Sequence, residues 1–291
     1  MKITGSFHLY AAMTILFWSM AYVATRLALP YFSGSSLGFL RYFTASCTLA
    51  AVAALMKVKA PARKDWVRFA ASGATGFFLY VLAFNKGSES VTASTASVVI
   101  ATAPILTALL ALLFYGEKPS SVQWVAMAVE FSGILVLALT DGFFSRNAGI
   151  FWLLGAALCF SIYNLLQRSL AREYTPLSST TCSIFAGTAM LAVFAPSAVT
   201  EALQAPPKAF LYLAVLGVFS SAAAYVSWSK ALEKADSASA AGNYMFLTPF
   251  LTTLLGFAFA GEKPGLPTLA GGALILSGML IFNWGARKKG G

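Results

Sequence analysis

Residues 103–139 read APILTALLALLFYGEKPSSVQWVAMAVEFSGILVLAL, and residues 248–284 read TPFLTTLLGFAFAGEKPGLPTLAGGALILSGMLIFNW. Laid over one another at a shift of 145 positions, without a gap, fourteen of the thirty-seven pairs are identical. The matches include Pro104 with Pro249, the whole GEKP tetrapeptide (116–119 and 261–264) and Ser132-Gly133 with Ser277-Gly278. Upstream, Tyr80-Val81 matches Tyr225-Val226 at the same shift, while Ser19 and Arg26 match Ser161 and Arg168 at a shift of 142. Self-similarity of this extent marks a duplicated structural unit.

The repeated unit is apolar. Runs long enough to cross a bilayer, which takes about 20 residues, fall at 8–29, 36–56, 67–85, 90–114, 121–139, 148–170, 177–197, 208–229, 237–260 and 267–285. Turn formers and charges collect between them. Strands of a membrane barrel would be shorter and would alternate strictly, which these runs do not. The expectation is an all-α integral membrane protein of ten transmembrane helices, in two five-helix repeats over residues 1–140 and 147–287. Five is odd, so the second copy enters the membrane from the opposite side. Such inverted repeats recur in secondary transporters, where two halves rock about a shared central site.

Composition agrees. Hydrophobic residues make up 58% of the 291 positions and charged residues 10%, against roughly 25% charged in soluble domains. The net charge of +10 reads as cations gathered at one membrane face, not as a nucleic-acid surface. With the N-terminus cytoplasmic, that side receives fourteen of the twenty basic residues. The other six are Arg26, Arg41, Lys86, Arg146, Lys208 and Lys263. Both termini are therefore expected in the cytoplasm, and the first apolar run, paired by the repeat with the sixth, is expected to be retained instead of cleaved as a signal peptide. Cys47, Cys159 and Cys182 fall in apolar runs without metal-ligand spacing, and His8 is the single histidine. No cofactor or metal is called for. The expected partners are a small-molecule substrate and the lipid bilayer, with no nucleic acid and the oligomeric state left open.

Candidate working residues follow from where polarity and helix breakers lie. Pro104 and Pro249 sit inside the fourth and ninth runs, where each removes a backbone hydrogen bond; paired interruptions are a pointer to a transporter site. GEKP reads as a helix stop with its next start, Gly closing one helix and Pro opening the following one; its Glu fits either a helix N-terminus or a gating ion pair. Trp18, Tyr22 and Arg26 share one face of the first run, and Phe160, Asn164 and Arg168 the matching face of the sixth. The candidate cavity wall is Trp18, Tyr22, Tyr80, Asn164, Tyr225, Trp228, Asn243 and Tyr244. Glu130, near the centre of the fifth run and matched by Ile275, is a candidate coupling group because an intramembrane carboxylate is costly to keep. Nucleotide-binding and zincin motifs do not occur.

With a mid-helix proline followed by G-E-K-P at both Pro104…119 and Pro249…264, the chain resembles the EamA branch of the drug/metabolite transporter superfamily, over essentially its whole length. Within that branch it looks most like bacterial aromatic amino-acid exporters of the YddG type. The resemblance implies an inner-membrane exporter whose central cavity, formed by spans 1, 3, 4, 6, 8 and 9, closes alternately on each side. Aromatic walls with a few amides suit neutral amino acids. Sugars, nucleosides, nucleotide sugars and drugs are the alternative substrates, and a membrane-embedded enzyme a more distant one.

Overall fold

In hydrocarbon every backbone N–H and C=O needs a partner within the protein, and a helix supplies both internally. The computed structural model describes residues 7–58, 60–91, 93–140, 148–260 and 266–287, and among them there are helices and turns but no strand. In chain order the helices are α1 (Phe7–Ala28), α2 (Gly34–Leu55), α3 (Arg63–Ser88), α4 (Ala93–Ile100), α5 (Ala103–Tyr115) and α6 (Ser121–Thr140). There follow α7 (Ala148–Leu170), α8 (Pro176–Gln204), α9 (Pro207–Lys234), α10 (Ala238–Gly242), α11 (Leu247–Ala260) and α12 (Leu266–Arg287). Seven helical stretches among the described residues are long and apolar enough to cross a membrane.

Local chemistry sets the boundaries. Ser33 accepts a hydrogen bond from the Ser36 N–H at the start of α2, and Thr175 does the same for Ser178 at the start of α8, as N-caps do. Gly116 closes α5 in the left-handed region at φ 65°, where its lack of a Cβ removes the penalty. The next start differs from the expected one. Pro119 stands before the helix, and Ser120 and Gln123 form a reciprocal cap, Gln123 N–H donating to Ser120 Oγ (3.3 Å) and Ser120 N–H to Gln123 Oε1 (2.8 Å). The second GEKP, 261–264, lies outside the described residues. α8 also runs past its expected end at 197, since a 3₁₀ turn at Ala192–Phe194 places Pro196 in a new first helical turn.

The halves interlock. Helix α1 packs on α9 and α11 of the second half, while its counterpart α7 packs on α3 and α5 of the first. Two further pairs, α2 with α8 and α6 with α12, join equivalent helices across the pseudo-symmetry. Small residues permit the close crossings. A Cβ on Gly73 of α3 would lie 2.7 Å from the Ala186 Cβ and the Gly187 nitrogen of α8, and one on Gly187 would lie 2.5 Å from the Phe77 Cβ. Gly217 of α9 meets Thr44 of α2 in the same manner, at 2.5 Å. Both crossings adjoin π-helical turns, Ala74–Leu79 in α3 and Val215–Ala223 in α9.

Polar contacts tie one end of the bundle, called here the Arg168 end. Arg68 bridges Asp65 (2.9 Å) and Glu173 (2.8 Å), and Tyr174 donates to Asp65 Oδ2 at 2.6 Å. That bond to a carboxylate raises the Tyr174 phenol above its ordinary pKa.

Replacing Gly187 with Leu should overpack the α3–α8 crossing and lower stability by about 1–3 kcal/mol. Gly155→Leu, at an open position with no atom within 4 Å of the added Cβ, is the control. Thermal melts of the detergent-purified variants check this, and equal melting temperatures would mean that the crossing is looser than described.

Candidate functional site

Where a helix stops inside the bundle, its last carbonyls need donors. Arg26, at the end of α1, donates through Nη1 to the carbonyls of Ser88 (3.5 Å) and Val91 (3.0 Å), just past α3. Arg168, its repeat counterpart at the end of α7, donates through Nη1 to Leu232 (3.0 Å) and Ala235 (3.1 Å), at the end of α9. Its Nη2 reaches the Asp236 carbonyl at 2.9 Å. Glu117, just after α5, pairs with Arg168 Nε at 3.2 Å and accepts from the Ala238 N–H at 3.3 Å. The first-copy GEKP glutamate is thus drawn into an ion pair that closes the Arg168 end.

The interrupted helices carry the same symmetry. The fourth apolar run breaks at Ala101–Thr102, between α4 and α5, with Pro104 in the first turn of α5. The ninth breaks at a 3₁₀ turn, Asn243–Phe246, with Pro249 early in α11. The carbonyl preceding each proline is met from the opposite half: Ser161 donates to Ala103 at 3.0 Å, and Ser19 to Thr248 at 3.5 Å. The prolines therefore sit at the restart of broken helices, not within kinked continuous ones.

Between these breaks lies an aromatic cluster. Trp18 stacks edge-on to Phe160 (5.3 Å) and Tyr225 (5.2 Å) and lies 5.1 Å from Trp228. Tyr22 meets Phe84 at 5.4 Å, and Tyr80 meets Phe160 at 5.6 Å. Trp18, Tyr22, Tyr80, Tyr225, Phe84 and Phe160 line a central cavity with Arg41, Met245 and Thr248. The space is tight, about 20 Å³, which holds about one water molecule. The rings pack against one another and leave little free volume between them.

Other candidates sit around the cavity. Asn164 lies behind the ring cluster, accepting from Trp228 Nε1 at 2.8 Å and donating to Thr107 at 3.3 Å. Tyr244, in the 3₁₀ turn, joins its hydroxyl to His8 of α1. Asn243 of the same turn faces Glu130 of α6; both are buried, and the two groups interact without a hydrogen bond of normal geometry. None of the ion pairs among the described residues involves Glu130.

Arg41 differs from its expected place. Loop-charge counting puts it at a membrane edge, whereas it is 3% exposed and lines the cavity. A window average hides one cation among apolar neighbours. Its position, on the same helical face as Leu37 and Ala45 and one residue before Tyr42, was the available signal.

The model of the EamA-like transporter family matches residues 5–139 and again 147–284. The chain belongs to that family. A protein of Streptantibioticus cattleyicolor, described as a probable terminal-alkyne amino-acid exporter, is 32% identical over 271 residues, spanning 93% of this chain and 91% of its own. An uncharacterized transporter of Bacillus subtilis, YdfC, is 29% identical over 90% of this chain and 86% of its own. A solved structure shares the fold at a TM-score of 0.76 and 21% identity, covering 96% of this chain and 97% of the other. The protein is thus a multi-pass, all-helical EamA membrane protein, and its relatives are named as transporters.

Asn164→Leu should leave the Trp228 N–H buried without an acceptor and cost about 1–3 kcal/mol. Adding Trp228→Phe should recover most of that loss. Melting temperatures of the four proteins of this cycle provide the measurement, and additive losses would mean that the bond contributes nothing.

Proposed function

We propose that this protein exports neutral amino acids, aromatic ones included, and related small metabolites across the bacterial inner membrane by alternating access. The observation that carries the reading is the aromatic cavity held between two interrupted helices contributed by inverted halves. Rings offer apolar area and faces for an ammonium group. The relative described as a probable amino-acid exporter points the same way. In this reading ten spans, in repeats over 1–140 and 147–287, leave both termini in the cytoplasm. Trp18, Tyr22, Tyr80, Asn164, Tyr225, Trp228, Asn243 and Tyr244 form or support the substrate wall, and Pro104 and Pro249 mark the segments that move. The ion pair of Glu117 with Arg168 holds one end shut and parts when that end opens.

The test is uptake of labelled phenylalanine, tryptophan, threonine and methionine by liposomes containing the purified protein. Saturable uptake competed by the unlabelled amino acids is expected. Folded protein that takes up none of them would sink the amino-acid assignment. Trp228→Ala should lower transport at least about tenfold while lowering the amount of folded protein far less, given that a buried aromatic anchor contributes about 2 kcal/mol or more to binding. Parallel losses would return Trp228 to a purely structural role.

Glu130 is the proposed coupling group, since an intramembrane carboxyl is costly to keep and none of the ion pairs among the described residues involves it. An imposed pH gradient should accelerate uptake by the wild-type protein and leave Glu130→Gln indifferent to it. A gradient response that survives in Glu130→Gln would remove Glu130 from the coupling step.

A further inference from the structure

Arginines inside a bilayer are costly and are normally paired or turned toward backbone carbonyls. Arg26 and Arg168 obey that rule, each spending its Nη1 on the carbonyls that close a neighbouring helix. Arg41 does not. It stands on α2, buried, with Nε donating to Ser221 Oγ at 2.7 Å and its guanidinium 5.2 Å from the centre of the Tyr42 ring. No carboxylate pairs with it among the described residues, and its Nη groups make no hydrogen bond there. The titratable side chains around it are the phenols of Tyr22, Tyr42, Tyr80 and Tyr225.

Arg41 is also absent from the shared unit. The N-caps Ser33 and Thr175 align at the shift of 142 that pairs Arg26 with Arg168, and at that shift Arg41 falls on Ser183. A cation needed to fold the five-helix unit would stand in both halves. This one stands in a single half, beside the cavity, held from one side by a serine at the π-helical turn of α9. Such turns are frequent at functional sites. A second donor points the same way: Trp18 lines the cavity, and its indole N–H lacks an acceptor. Among the described residues, the lining of the cavity therefore offers donors and one positive charge and includes no carboxylate.

We propose that Arg41 is the anchor for the carboxylate of the substrate, making the central cavity a site for small amino acids and other monocarboxylates with an apolar flank. This rests on the transport reading above and deepens it. The bidentate fork of a guanidinium fits a carboxylate, and the single charge suits a monoanion, not a phosphate dianion that calls for several cations. Tyr22, Tyr80 and Phe160 then stack against the apolar part. Carboxylate binding supplies the counter-charge that the apo site lacks, so the loaded protein carries a neutralised centre through its conformational change.

The experiment measures binding and transport separately. Binding to the full-length protein in nanodiscs is followed by tryptophan fluorescence, using L-phenylalanine, 3-phenylpropionate, L-phenylalaninamide and phenylalaninol. The two carboxylates should bind at least about thirtyfold more tightly than the amide and the alcohol, the low end of what truncating one partner of a buried charge pair costs. Arg41→Lys, which keeps the charge but not the fork, should weaken carboxylate binding, and Arg41→Gln should abolish the preference. Liposome uptake of labelled phenylalanine is measured alongside. Equal binding of acid and amide by the wild-type protein overturns the proposal without any variant, so misfolding of Arg41→Gln cannot obscure the result. An acid preference that persists undiminished in Arg41→Gln overturns it as well. A carboxylate preference dependent on Arg41, without uptake, supports the site and sinks the transport reading; uptake with no such preference does the reverse.

Discussion

A helix that breaks inside hydrocarbon leaves carbonyls and N–H groups that water cannot reach, and protein groups must meet them. Much of this structure follows from that constraint. Ser19 and Ser161 each cross to the opposite half and donate to the carbonyl before a proline. Arg26 and Arg168 each close the end of a helix within their own half. The first helix of each repeat is thus a source of donors, which is why α1 and α7 occupy the centre of the bundle. Because the serine contacts run between halves, the broken helices of one repeat are held by the other. Relative movement of the halves must then alter how the breaks are satisfied.

The cavity sits where these arrangements converge. Its walls are rings packed edge to face at about 5 Å, so little free volume remains between them. Such a cluster is cohesive yet divisible, since each ring can trade a neighbouring ring for a ligand of similar shape. Polar groups at its margin are paired in a way that fixes orientation: Trp228 is held by Asn164, which is held by Thr107. Arg41 against Ser183 and Glu130 against Ile275 are buried ionisable groups that break the internal symmetry. The scaffold is common to both halves. The chemistry is not.

Much of the architecture could be read from the residues. The 103–139 and 248–284 match located both interrupted helices, and α7 covers the same residues, 148–170, as the apolar run. Trp18, Tyr22, Tyr80 and Tyr225 could be placed together from helical spacing and the repeat. Arg41 could not, since counting basic residues by loop assigns any cation near a span end to the membrane edge, and depth depends on tilt and on which face turns inward. The pairing of Glu130 with Asn243 was equally hidden: it joins residues more than a hundred positions apart on helices with no shared pattern. Pro119 was misplaced by one cap, because Ser120 and Gln123 offered the backbone a better start than the proline did.

The two wide turns record a history. A π turn is an α-helix with one residue too many. Ala74–Leu79 maps onto 219–224 at the shift of 145, overlapping Val215–Ala223. The extra residue is therefore most economically placed in the ancestral five-helix gene, before duplication. Arg41 and Glu130 stand in one copy each. The fold is kept in both copies and these two ionisable groups in one, so divergence among descendants of that gene should be sought first at the unmatched positions.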